Sequence, residues 1–236
     1  AMRFPHEQGL FRAEIVVPAE RALRLPKGVK PSIAALCEPF AVCLHAVGQA
    51  GDIAGRTVIV SGCGPIGILT IVAAKLKGAG RIIATDIARP ALAMAERMGA
   101  DEVHDVSSGT GSLASWAEGK GRVDAAIECS GSPRAVAGIL PLLRPRAHCV
   151  LVGLGGDASL NVNAIVAREI NIAGSFRFDR EFDEAAGLIG GGTIDLSPVV
   201  SAVYPIEDAV AAFEHAGDRS RATKVAIALS PEGLAA

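Results

Sequence analysis

Thr57-Val58-Ile59-Val60-Ser61-Gly62-Cys63-Gly64-Pro65-Ile66-Gly67, with Arg81-Ile82-Ile83-Ala84-Thr85-Asp86 after it, is the stretch that decides the fold. The β-branched run predicts a buried strand. A glycine turn follows, then apolar residues at helical spacing from Pro65 to about Gly78, then a second strand. Gly62 permits the tight turn, and Gly64 leaves no side chain in the way of a pyrophosphate. Gly67 lets the next helix lie close to the sheet, and that helix offers free N–H groups to phosphate at its start. Asp86 stands 22 residues past Gly64, where a carboxylate at the end of the second strand can accept the ribose hydroxyls of NAD. Glycine turns also close ordinary strand–helix connections. It is the full series of strand, turn, helix, strand and acid that points to dinucleotide binding.

Working outward, strands and helices keep alternating. Pro90 to Met98 is a helix stopped by Gly99, residues 101–106 a third strand, and Ser107 to Ser112 a loop before an amphipathic piece around Trp116. Val123 to Glu128 is the fourth strand, ending in Cys129-Ser130-Gly131-Ser132-Pro133. His148 to Val152 is the fifth, ending in Gly153-Leu154-Gly155-Gly156, and Ile170 to Gly174 the sixth. The pattern predicts an α/β fold with a doubly wound, six-stranded parallel sheet, whose small-residue turns gather at the carboxyl edge where such sheets bind ligands. The flanks read differently. Phe11 to Pro18 has the pattern of a strand, Leu23 to Pro31 of an extended linker, and Ser32 to Val47 of a helix. Helices over 180–189 and 206–215 and a strand over 224–229 follow the sheet. The expected division is a first flank over residues 1–50, a dinucleotide-binding domain over 51–175 and a return segment over 176–236.

The chain has 236 residues, half of them hydrophobic and 20% charged, with a formal net charge of −2. It can bury a substantial core. Interspersed charges give no basic face for nucleic acid and no polybasic membrane patch. No apolar stretch free of Gly, Lys or Arg is expected to reach the ~20 residues of a membrane span, and the opening Ala1-Met2-Arg3-Phe4-Pro5 has no leader-like apolar region. A cytoplasmic protein is expected. Cys37, Cys43, Cys63, Cys129 and Cys149 form no CxxC pair and are expected to be buried, reduced thiols. His6, His45, His104, His148 and His215 are scattered, so histidine-based metal binding is not expected.

A family resemblance becomes visible in the order of Cys37-Glu38-Pro39-Phe40-Ala41-Val42-Cys43-Leu44-His45-Ala46, Gly62-Cys63-Gly64-Pro65-Ile66-Gly67, Thr85-Asp86, Glu128-Cys129-Ser130-Gly131, Val152-Gly153-Leu154-Gly155 and Gly174-Ser175-Phe176-Arg177-Phe178. Together with the opening AMRFPH and the closing stretch from Tyr204-Pro205 to Lys224-Val225, the chain resembles the medium-chain dehydrogenase/reductases. The similarity is to their zinc-dependent polyol branch, that of sorbitol and L-idonate dehydrogenases. The resemblance implies hydride transfer between NAD or NADP and a secondary alcohol of a sugar acid or polyol, with L-idonate to 5-ketogluconate as the expected reaction. The alternatives are a non-catalytic dinucleotide-binding module, as a truncated homologue, and another zinc alcohol, polyol or threonine dehydrogenase. It also implies that the flanks are remnants of a GroES-like β-rich catalytic domain, and that the protein is a homodimer or homotetramer joined near residues 153–175.

Carried over residue by residue, the resemblance gives Gly62, Gly64, Pro65, Ile66, Gly67 and Asp86 to the cofactor backbone and adenosine ribose. Val152, Gly153 and Leu154 match the segment under the nicotinamide ribose, and Ser175, Phe176 and Arg177 the segment at the nicotinamide amide. Arg177 and Phe178 fall where polyol enzymes touch the sugar. A guanidinium can clamp a sugar-acid carboxylate, although by itself Arg177 reads as a surface arginine. Where the family often has an arginine five residues past the ribose acid, this chain has Ala91. Arg89 can substitute, or soften the rejection of a 2′-phosphate by Asp86. Glu38 matches the family's third position at the catalytic zinc, held directly or through water, while spacing alone reads it as a solvated helix cap. His45 reads as a packing histidine. The remaining ligand motifs, CGSD-like and GHE, are not in this sequence. The chain alone is therefore expected to keep the cofactor fold, to hold no complete zinc site and to be inactive.

Overall fold

The computed structural model describes residues 9–230 and Gly233; His6 and the AMRFPH opening lie outside them. The expected sheet is present. Strands β1 (Thr57–Ser61), β2 (Arg81–Asp86), β3 (Glu102–Asp105), β4 (Val123–Glu128), β5 (Leu143–Leu151) and β6 (Asn171–Gly174) pair in the order β3-β2-β1-β4-β5-β6, and every pairing is parallel. This is the doubly wound order with its switch point between β1 and β4. Period-2 alternation splits the strands between two cores. Val58, Val60, Ile82, Ala84, Ala125 and Ile127 face one of them. Ile59, Ile83, Ala126 and Cys149 face the other. Both faces are covered, which is why these strands read as continuous apolar runs.

The first core lies under α3 (Pro65–Leu76), α4 (Arg89–Arg97), α2 (Cys37–Gln49) and α7 (Glu181–Gly190). Ahead of α2 stands the short α1 (Pro31–Ala34). The second core is closed by α5 (Pro133–Ile139), α6 (Val162–Ala167) and a 3₁₀ turn over Gly111–Ala117. Helix α2 packs against both α3 and α7. Leu36, Phe40, Ala41, Cys43, Leu44, Ala46 and Val47 are all buried around it. A helix that is apolar on most sides belongs inside a protein. For that reason Pro31–Gln49 is, against expectation, a helical stretch long and apolar enough to cross a membrane, yet half of it is buried in this core. The same core joins residues from all three expected segments, so it is continuous across both expected boundaries.

The flanks depart further from the sequence reading. Residues 11–18 form no strand; Val16 is 98% exposed and Ile15 and Val17 are also exposed. A strand needs a ladder for its backbone, and no strand pairs with this stretch among the described residues. A strand the sequence reading lacked, β7 (Val200–Pro205), pairs in parallel with β8 (Lys224–Ala228) through α8 (Ala209–Gly217), making a separate two-stranded unit. Strand β5 begins five residues earlier than expected. Between Val123↔Leu143 and Ala125↔His148 the register shifts, and Arg146 sits there at φ 65°. That bulge hid the start of the strand.

Candidate functional site

At the carboxyl edge three turns interlock. The first follows β1: Gly62 has φ 88°, and a methyl group added to it would lie 2.7 Å from the Ser130 backbone nitrogen. A methyl on Gly67 would overlap the Gly62 carbonyl oxygen, so the start of α3 is pressed against the turn. Gly64 differs: nothing lies within 4 Å of a methyl placed there. It is the N-cap of α3, followed by Pro65 in the first turn, whose missing N–H costs the helix nothing at that position. The Ile66 and Gly67 N–H groups precede the first full helical hydrogen bond, Ile68 N–H to Gly64 O at 2.9 Å. An open glycine beside the positive end of a helix is the geometry that accepts a phosphate pair.

Asp86 ends β2 beside this turn. Its Oδ2 accepts the Cys63 N–H at 2.6 Å, and its Oδ1 accepts the N–H groups of Ile87 and Ala88 at 2.7 and 2.8 Å. Three backbone donors fix the carboxylate and fill three of its roughly four acceptor positions. Arg89 opens α4 nearby and is 92% exposed, 4.0 Å from Asp105 on the adjacent strand. That carboxyl is held below its usual range by hydrogen bonds from Ser107 and, less, by Arg89.

The second and third turns carry a residue to which the sequence reading gave no role. Glu128 ends β4 and is 1% exposed. Its carboxylate accepts the N–H groups of Ser130 and Gly131 at 2.8 and 3.0 Å and the Ser130 hydroxyl. Its carbonyl accepts the N–H groups of Val152 and Gly153 at 2.8 and 2.9 Å. Gly131 stands at φ 68°, and methyl groups on Gly153 or Gly155 would overlap its backbone. Glu128 thus holds the turn after β4 through its buried carboxylate and the turn after β5 through its backbone carbonyl. The Glu-Cys-Ser-Gly motif carried the signal, but only as a family match. Beyond the turns, Leu154 is 87% exposed.

After β6 the chain passes through Ser175, Phe176, Arg177 and Phe178. The Ser175 N–H donates to Leu151 O at 2.8 Å. Its hydroxyl is buried without a hydrogen-bond partner, a polar atom suited to meet a ligand amide. Phe176 is 68% exposed, and the Arg177 guanidinium lies 5.1 Å over its ring. Phe178 turns inward, stacked on Phe182 with ring centroids 5.7 Å apart.

Glu38 lies in the first turn of α2, exposed, where an acid suits the helix dipole. Five residues on, the Cys43 thiol donates to Ile66 O at 3.3 Å, so α2 runs past the start of α3. The metal reading of Glu38 gains no partners. No group of three or more His, Cys, Asp or Glu among the described residues could hold a metal ion, so the described residues do not fit a zinc site. The five thiols are free. Burial pushes Cys129 and Cys149 up to about 12 and raises Cys37, Cys43 and Cys63 as well, which keeps them protonated and inert.

Residues 65–190 match the zinc-binding dehydrogenase family. L-idonate 5-dehydrogenase (NAD(P)(+)) of Escherichia coli K12 is 37% identical over 95% of this chain and 65% of its own length. Sorbitol dehydrogenase of Macaca fascicularis is 32% identical over 81% of this chain and 55% of its own length. The crystal structure of L-idonate 5-dehydrogenase from Escherichia coli K-12 superposes with a TM-score of 0.89 at 35% identity, covering 96% of this chain and 65% of that one. The chain thus spans about two thirds of these relatives or less.

Proposed function

The chain belongs to the zinc-binding dehydrogenase family, and from that premise we propose that it is the dinucleotide-binding part of an NAD(P)-dependent oxidoreductase acting on a secondary alcohol of a sugar acid or polyol. L-idonate, oxidised to 5-ketogluconate, is the proposed substrate, supported by the relative named for that activity. The observation that carries the reading is the open face of Gly64 at the start of α3 with Asp86 fixed on the neighbouring strand. Bound NAD or NADP supplies a hydride acceptor. The chain's own residues then bind and orient it. The N–H groups of Ile66 and Gly67 face the pyrophosphate, and the remaining acceptor position of Asp86 takes a ribose hydroxyl. The Glu128-braced turn at Val152–Leu154 and the Ser175 hydroxyl lie toward the nicotinamide. Arg177 offers a guanidinium for a substrate carboxylate. The described residues do not fit zinc, and the roles of this chain are those of binding and orientation.

The test is fluorescence titration of the chain with NADH and NADPH. Saturable binding of at least one, weakened tenfold or more by Gly64→Val, supports the reading, since the added side chain would fill the open face without touching the core. Absence of binding by the folded chain overturns it.

A further inference from the structure

The segment between β6 and α7 holds a conformation that its own sequence does not favour. Arg177 has φ 61° without being glycine, a strained conformation that persists only where the surroundings impose it. Those surroundings converge on Glu181, in the first turn of α7. Its Oε2 accepts the Asp179 N–H at 2.8 Å, two residues from Arg177. Its Oε1 lies 3.0 Å from His45 Nδ1, on α2 and 136 positions away in the chain. His45 Nε2 lies 3.3 Å from Gln49 Nε2. With the proton on Nδ1, His45 donates to Glu181 and accepts from Gln49, so both ring nitrogens are used. The side chains of His45 and Glu181 are only 24% and 21% exposed, unlike an ordinary surface pair. Phe178, stacked on Phe182, ties the same loop to α7 a second time.

The place of this segment in the sheet gives the arrangement its meaning. Asp86 ends β2, on one side of β1, whereas Ser175 follows β6, three strands over on the other side. A dinucleotide laid across the switch point with its adenosine at β2 therefore presents its other end to β5 and β6. We propose that His45 and Glu181 are positioning residues, a latch between α2 and α7 that presents Ser175–Phe178 to the nicotinamide end of the dinucleotide and leaves the adenosine end untouched. This rests on the dinucleotide reading above.

The experiment compares two probes on the whole chain: NADH, and ADP-ribose, which has no nicotinamide. Glu181→Ala and His45→Ala should each weaken NADH about three- to tenfold, the worth of one half-buried hydrogen bond. ADP-ribose affinity should stay within twofold, which also shows that the fold is intact. The double variant should lose no more than Glu181→Ala alone, because that change already removes the pair with His45 along with the Asp179 N–H contact. Glu184→Ala is the control. It removes a second tie of α7, the 2.7 Å contact with Lys77, without touching the segment, and should leave the NADH to ADP-ribose ratio unchanged. Equal loss of both probes in the latch variants, loss of neither, or additive losses overturns the latch while the dinucleotide reading stands. If the unmodified chain binds neither probe, both fall together.

Discussion

The carboxyl edge of the large sheet and the small β7–β8 unit are both made of parallel strands with a helical crossover, yet they differ in how their surfaces are used. At the edge, Gly62, Gly67, Gly131, Gly153 and Gly155 bring backbone against backbone, and Glu128 occupies the enclosed donors. In the small unit, Val210 and Phe213 of α8 are 75% and 66% exposed, and Phe11 of the unpaired first flank approaches Phe213 at 6.2 Å between ring centroids. In the first region the turns are locked by contacts within the chain, and the exposed Leu154 and Phe176 stand at its open rim. The second shows apolar surface that the described residues leave uncovered.

The sharpest way to break this contrast lies within one helix. Gly67→Ala should destabilise the chain by about 3 kcal/mol or more, because its methyl has nowhere to go but into the Gly62 carbonyl. Gly64→Ala, three residues earlier and open on that side, should cost no more than about 1 kcal/mol, since only a good N-cap is lost. Urea midpoints of the two variants check this; equal losses would mean that the close approach is not tight. Next in size is Glu128→Ala, which leaves the Ser130 and Gly131 N–H groups without their acceptor and should cost about 2–3 kcal/mol. Replacement by Gln should recover part of that, as the amide oxygen still accepts, again by denaturant midpoint.

How legible each region was in the sequence follows the same line. β1, β2 and β4 were read to their observed ends, because strands covered on both faces are apolar without interruption. The glycine turn was legible because its pattern is local. Glu128 and the His45–Glu181 pair were not. A buried carboxylate and a hydrogen-bonded pair 136 positions apart look, in one dimension, like ordinary polar residues of a surface. The misreading of Phe11–Pro18 has the opposite cause. Its apolar residues fit a strand, but a strand exists only with a partner, and sequence pattern says nothing about whether one is there. β7 was missed because only its pairing with β8 distinguishes Val200–Pro205 from a loop.

Smaller effects come from the α2–α7 junction under acid. Burial alone would raise the Glu181 carboxyl, but hydrogen bonds from His45 and from the Asp179 N–H outweigh it and hold the group at about 2, below its ordinary 4.5. The folded value is the lower one, so the stabilisation is fully present above pH 4.5. It is lost as pH falls from there toward 2. Thermal midpoints should drop over that window in the unmodified chain and drop less in Glu181→Gln, which has no proton to take up. Identical acid limbs would assign the loss to other carboxylates.

The smallest effect belongs to the uncovered face, and its smallness is the point. Phe213→Ser removes an aromatic ring that is already two thirds exposed, so folding loses little apolar burial and stability should move by no more than about 0.5 kcal/mol. What should change is association, because a large exposed ring is the kind of surface that draws chains together. Sedimentation velocity of Phe213→Ser against the unmodified chain reads this directly. Less self-association at unchanged thermal midpoint would confirm that α8 carries surface left for another element to cover. A large loss of stability would instead make Phe213 part of the chain's own core and remove the contrast between the two regions.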